Sequence, residues 1–147
     1  MSALTFLAFD YGKTSIGVAV GSTVSGRAQD IATVKSLSGQ PDWNRISNLV
    51  QEWRPQGLVV GLPLNMDESE NPTTHAAREF GNRLGDRYNL PVHMVDERLT
   101  TVAAKHSLAQ SAVPRRHHKS QLDRVAAQTI LQTFLDEQTG ADRKREP

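Results

Sequence analysis

The sequence predicts an α/β domain built on a mixed five-stranded sheet with helices on both faces. Three observations lead to that class. Two short apolar strands near the start, 4–9 and 16–21, are close enough to pair as a hairpin. Two later apolar runs, 58–61 and 92–95, each follow a segment whose apolar residues recur at helical spacing. A further amphipathic segment closes the chain. Strands that begin as hairpins and continue as helix–strand repeats form a mixed sheet, its first three strands antiparallel, with helices packed on it.

Each element has its own local cause. Leu4-Thr5-Phe6-Leu7-Ala8-Phe9 runs into Asp10-Tyr11-Gly12, and Ile16-Gly17-Val18-Ala19-Val20-Gly21 returns. Gly12 permits the tight turn between them. Ile31 to Val34 is the third strand. Pro41 or Asp42 opens a helix carrying Ile46, Leu49, Val50 and Trp53, and Pro55 and Gly57 end it. Leu58-Val59-Val60-Gly61 is apolar throughout, as a central parallel strand must be. The loop 62–71 holds Pro63 and the acids Asp67, Glu68 and Glu70. A second helix over 73–88 buries Ala77, Phe80, Leu84 and Tyr88. Val92 to Val95 is the last strand, a short helix is expected near Thr101, and a final helix spans about 120–137. A single domain over 1–138 is expected, followed by a charged, disordered tail, 139–147.

Composition narrows the class of function. The 147 residues suffice for one domain with a full core. Cysteine is absent, which excludes disulfides and thiolate metal sites and fits a reducing compartment. There is no leader-like start and no apolar run of membrane-spanning length, so a cytoplasmic, soluble protein without membrane contact is expected. The net charge is only +1, yet its distribution is uneven. No acid lies between Glu97 and Asp123, whereas Arg98, Lys105, Arg115, Arg116 and Lys119 fall in that window beside His106, His117 and His118. Such a window is the footprint of a phosphate-facing surface, or equally a solvated loop.

Four acids are candidates for chemistry. Asp10 ends a buried strand, where its charge needs a compensating cation, although Asp before a turn glycine also simply starts turns. Asp96 and Glu97 follow the last strand at the carboxyl end of the parallel region, where functional groups gather. They also precede a helix whose dipole would favour acids there. Asp123 sits three residues after Ser120, as in a capping box. It also falls at the edge of the stripe Leu122, Val125, Ala126, Thr129, Ile130, Thr133 and Phe134, which faces the sheet. Acids converging from two strand ends and a helix form a cage of hard oxygen ligands suited to Mg²⁺ or Mn²⁺. A metal pair in such a cage activates water and stabilises the leaving oxygen of a phosphodiester. No zinc-spaced Cys/His set, nucleophile elbow or Walker-type loop competes.

Four blocks in order carry a resemblance: Phe9-Asp10-Tyr11-Gly12 with Ser15 to Gly21; Val59-Val60-Gly61-Leu62-Pro63-Leu64-Asn65-Met66-Asp67; Asp96-Glu97-Arg98-Leu99-Thr100-Thr101; and Asp123. Together, over Leu4 to about Phe134, they resemble the YqgF family. Its members are described as nucleases of precursor 16S ribosomal RNA and, in older usage, as Holliday-junction resolvases. The resemblance implies an RNase H-like fold and metal-dependent cleavage of structured nucleic acid, with pre-16S rRNA favoured and a DNA junction as the alternative. A non-catalytic nucleic-acid-binding factor is the reading from a different class.

The resemblance further implies a catalytic and metal-binding triad of Asp10, Glu97 and Asp123, with Asp96 as a neighbouring ligand candidate and Mg²⁺ or Mn²⁺ as cofactor. Lys13, Arg98, Arg115, Arg116 and Lys119 are the nucleic-acid-binding candidates. The expected assembly is a monomer or weak homodimer, with ribosomal precursor particles as candidate partners. Three positions depart from the family pattern. Thr14 stands where a basic residue is usual, with Lys13 one place earlier. Glu68 stands where Gly commonly follows Asn-Met-Asp. Gly61 ends a strand that in resolvases of this fold ends in an acid.

Overall fold

A computed structural model describes residues 4–97 and 118–145, with the helical backbone alone for 118–124 and 139–145. In chain order the elements are β1 (Thr5–Asp10), β2 (Ser15–Ser22), β3 (Ala28–Leu37), β4 (Gln40–Pro41), α1 (Trp43–Trp53), β5 (Gly57–Leu62), α2 (Pro72–Tyr88), β6 (Val92–Asp96) and α3 (His118–Arg145). They form one mixed sheet in the order β4-β3-β2-β1-β5-β6. β1, β2 and β3 are antiparallel, and β5 and β6 run parallel to β1. The class, the antiparallel start and the helices on both faces agree with the sequence reading.

The sheet has six strands rather than five. The extra one is the two-residue β4, which pairs Ser36 with Pro41 and Leu37 with Gln40. Ser38 and Gly39 between them both have positive φ, 52° and 77°. That is the backbone of a tight hairpin turn. A strand this short carries no periodicity for a sequence to display. The short helix expected near Thr101 lies outside the described residues.

Two cores flank the sheet. Leu7, Phe9, Ile16, Val18, Val34, Leu58 and Val60 pack with Ile46, Leu49, Phe80 and Leu84 of α1 and α2. On the other face Phe6, Ala8, Ala19, Val59 and Val95 pack with Ala127, Ile130, Leu131, Phe134 and Leu135 of α3. β1 therefore alternates strictly, odd positions toward α1 and α2, even positions toward α3.

The helix ends follow local rules. The Asp42 side chain accepts from the Arg45 N–H, and Asn71 and Thr74 form a reciprocal capping box at α2. Arg54 and Asn89 close α1 and α2 in the left-handed region. α3 begins two residues before Ser120, which places Ser120 within the first turn and Asp123 beyond it. The capping box weighed from sequence is thus not the helix start. At its other end α3 continues to Arg145, across most of the segment expected to be disordered. Once a helix is nucleated, each added residue brings one backbone hydrogen bond, and Ala141, Arg143 and Lys144 favour that extension. Among the described residues no helix is long and apolar enough to cross a membrane.

Candidate active site

Strand alternation decides which acids share a face. Phe6 and Ala8 face α3, so Asp10, the next even position of β1, belongs to that face too. In β6, Val95 packs on the α3 side, and the His93 ring meets Phe6 and Phe134 there at 6.1 and 4.9 Å. Val92 and Met94 pack on the opposite core. Continuing that alternation, Glu97 shares the α3 face with Asp10, and Asp96 falls on the other. A bond from the Glu97 N–H to the Leu62 carbonyl, 3.2 Å, extends the β5–β6 pairing by one step and holds Glu97 in this register.

Asp10 and Glu97 meet through a side-chain hydrogen bond. Burial pushes the Glu97 carboxyl up to about 7; the bond with Asp10 opposes that rise, and the nearby Asp96 charge adds to it. Asp96 itself is exposed. The space for Glu97 comes from Gly61. A Cβ at position 61 would collide with Glu97 Oε2 and with Ile130 Cδ1 of α3. Gly61 pairs with Val95 and so lies beside the strand that delivers Glu97. The position that lacks the acid usual in resolvases is filled, in space, by the carboxylate of the next strand. The sequence showed Gly61 only as a departure, because its role depends on a neighbour 36 positions away.

The third candidate acid, Asp123, lies on α3. Phe134 meets Phe6 near the start of β1 at 4.9 Å, whereas Ile130 reaches Gly61 near the end of β5. The helix therefore advances toward the carboxyl ends of the parallel strands as its numbering falls. Three side-chain amide bonds pin it axially: Gln132 Oε1 accepts from the Ala28 N–H (2.9 Å), Gln132 Nε2 donates to the Gly26 carbonyl (2.8 Å), and Gln128 Nε2 donates to the Ala28 carbonyl (3.2 Å). Asp123 occupies the same helical line as Ala127, Ile130 and Phe134, four, seven and eleven residues on. The backbone thus carries position 123 to the sheet end where Asp10 and Glu97 lie.

Among the described residues no group of three acids or histidines is assembled. The pair Asp10–Glu97 nevertheless fits a hard divalent cation. Two carboxylates that share a hydrogen bond, one of them holding its proton to about pH 7, are a site short of positive charge.

The loop after β5 is a stiff rim. Asn65 Nδ2 donates to Ser69 Oγ (2.9 Å), Asn71 Nδ2 donates to Asn65 Oδ1 (2.8 Å), and Thr74 Oγ1 donates to the Pro63 carbonyl. Ser69 holds the Asp67 carboxyl below its usual range through side-chain and backbone hydrogen bonds. Glu68 has φ 72°, which explains why glycine suits that position. Lys13 is exposed in the turn after Asp10. Arg98, Arg115 and Arg116 lie outside the described residues, and Lys119 is placed only as the second residue of α3.

Comparison with known proteins identifies the family. Residues 4–137 match the family model described as "RuvX: Holliday junction resolvase". A protein of Nitrosococcus oceani named "Putative pre-16S rRNA nuclease" is 52% identical over 134 residues, covering 90% of this chain and 86% of its own. An Actinobacillus pleuropneumoniae protein of the same name is 46% identical, covering 92% of this chain and 99% of its own. In fold, the chain is similar to the RuvC of T. thermophilus solved with a Holliday junction substrate, at TM-score 0.56, 17% identity, and coverage of 93% and 96%. With its RNase H-like sheet, its paired carboxylates at the strand ends and a family match across nearly the whole chain, this protein belongs to the RuvX family of resolvase-like nucleases, the family also called YqgF.

Proposed function

We propose that this chain is a divalent-metal-dependent nuclease that processes the 5′ end of precursor 16S ribosomal RNA. The observation that carries the reading is the hydrogen-bonded Asp10–Glu97 pair, seated over Gly61 at the carboxyl ends of the parallel strands. The names of relatives 46% and 52% identical favour the RNA substrate over a DNA junction. Asp10, Glu97 and Asp123 are the ligands in this reading, and Asp96, exposed on the other face of β6, adds negative potential to the site. Bound Mg²⁺ or Mn²⁺ would activate water and stabilise the leaving oxygen of the phosphodiester.

The chain's own contribution is placement. β1 and β6 are fixed against each other through β5, so the two carboxylates keep a set separation. Ile130 and the surrounding core exclude water from the inner side of Glu97, which raises its avidity for positive charge. The Asn65–Ser69–Asn71 rim stands beside the end of β5 and limits the approach of a bulky substrate to one side.

The test is incubation of pure protein with a labelled pre-rRNA 5′ leader and with a synthetic four-way DNA junction, under Mg²⁺, Mn²⁺ or EDTA. Cleavage of the leader with metal, lost in EDTA and in Asp10→Asn, is expected. Full activity in Asp10→Asn would remove the basis of the reading, and preference for the junction would replace its substrate.

A further inference from the structure

On the face of the sheet opposite the carboxylates, a ladder of rings leads away from the site. Tyr11 follows Asp10 directly, and its ring lies 5.0 Å from that of Phe80. Phe80 stacks on Trp43 at 5.8 Å and 29°. Over Trp43 lie the guanidinium carbons of Arg83, at 5.0 Å, and Arg87, at 4.8 Å. The two arginines are one turn apart on α2, Arg83 half-buried and Arg87 exposed.

Two adjoining hollows follow the same path. One, about 220 Å³, is lined by Tyr11, Gln40, Phe80 and Arg83. The other, about 300 Å³, is lined by Trp43, Arg83, Asp86 and Arg87. Arg83 belongs to both. Acids are near, Glu79 in the first hollow and Asp86 in the second, yet neither forms an ion pair with these arginines. Among the described residues the salt bridge is Arg78–Glu70, at 2.7 Å. Arg83 instead donates to the neutral Gln40 Oε1 at 3.4 Å. Stacking orients both guanidiniums while leaving their donor edges without a carboxylate. An oriented guanidinium with free donors is a preformed fork for phosphate.

We propose that Tyr11, Trp43, Arg83 and Arg87 form a track for a single strand of the nucleic acid substrate on the side of the cleavage site away from α3. Arg83 and Arg87 contact successive phosphates, and Tyr11 is the stacking platform nearest the scissile bond. This rests on the nuclease reading for the identity of the strand, and it assigns the α1–α2 face a role distinct from the basic window at 98–119. Aromatic surfaces interleaved with arginines are how proteins grip single strands without reading sequence.

The test measures binding in EDTA, so it is independent of whether Asp10 and Glu97 form a cation site. Fluorescence anisotropy compares wild type with Arg83→Gln/Arg87→Gln on labelled single-stranded RNAs of about 6 and about 20 nucleotides. The expected result is roughly tenfold weaker binding of the longer RNA. The slope of log affinity against log salt should become shallower by about 1.4, two phosphates at about 0.7 each. Tyr11→Leu should weaken binding without altering that slope. Unchanged affinity and slope in the double variant would overturn the track. So would a change confined to the oligomeric state in sedimentation, which would make this face a contact between copies. Thermal melting of each variant confirms that losses are not unfolding.

Discussion

At the scale of single residues, the site depends on a carboxyl that is expensive to ionise and a glycine that makes room for it. Glu97 titrates near 7 in the folded chain against 4.5 in its absence, because burial disfavours its charge. Between those values the folded state holds a proton that the unfolded state has released. The contribution of Glu97 to stability is therefore full below about pH 4.5, falls as pH rises, and is lost above about 7. In EDTA, chemical denaturation should show a decline on the order of 2–3 kcal/mol across that window. Glu97→Gln should flatten it, and Mn²⁺ should restore stability at pH 8 in wild type only. A flat wild-type profile would mean that Glu97 is ionised at little cost. For Gly61→Ala, the collision with Ile130 alone predicts a loss of about 1–3 kcal/mol. The collision with Glu97 predicts something more, a weaker Mn²⁺-induced rise in melting temperature. Adding Ile130→Val should recover stability while leaving the metal response low. Recovery of both would assign Gly61 to packing.

At the scale of elements, α3 carries Asp123, the third ligand of the proposed site. Its buried line, Ala127, Ile130 and Phe134, passes through position 123, and its amide bonds to residues 26 and 28 set how far it reaches. Asn can replace Asp as a hydrogen-bond acceptor but carries no charge. Asp123→Asn should therefore cost orders of magnitude in cleavage rate with little change in melting temperature. Near-normal turnover would reduce Asp123 to a structural role. α3 starts at His118, so Asp123 lies beyond its first turn. From sequence, the Ser120 spacing favours a cap for Asp123, whereas its place at the edge of the sheet-facing stripe favours a ligand. The cleavage rate of Asp123→Asn separates them.

At the scale of the whole molecule, the carboxylates lie at one end of a sheet whose two faces carry different helices. In the proposed reading a strand crossing that end is held by Arg83 and Arg87 on the α1–α2 side, and the basic window at 98–119 is a second candidate contact. Replacing Arg115, Arg116 and Lys119 with Ala should weaken RNA and DNA binding alike and make the salt dependence shallower. Metal binding, read by Mn²⁺-induced stabilisation, should survive. A solvated loop would leave affinity and slope unchanged.

The sequence by itself determined the class of fold, the order of its long elements and the acids available for chemistry. Those properties follow from local pattern. The apolar runs at 58–61 and 92–95, the caps at Asp42 and the breaks at Pro55 each act through near neighbours. Tertiary structure alone showed that Glu97, rather than Asp96, shares the face of Asp10, because consecutive residues face opposite sides of a strand and only the packed cores show which side is which. It also decided the meaning of Gly61, whose empty side-chain position is occupied by groups from β6 and α3. The aromatic–arginine ladder was equally hidden, since Tyr11, Trp43 and Phe80 belong to three separate elements. Contacts between residues distant in the chain leave no periodicity behind, so these features exist only once the sheet and its helices have closed.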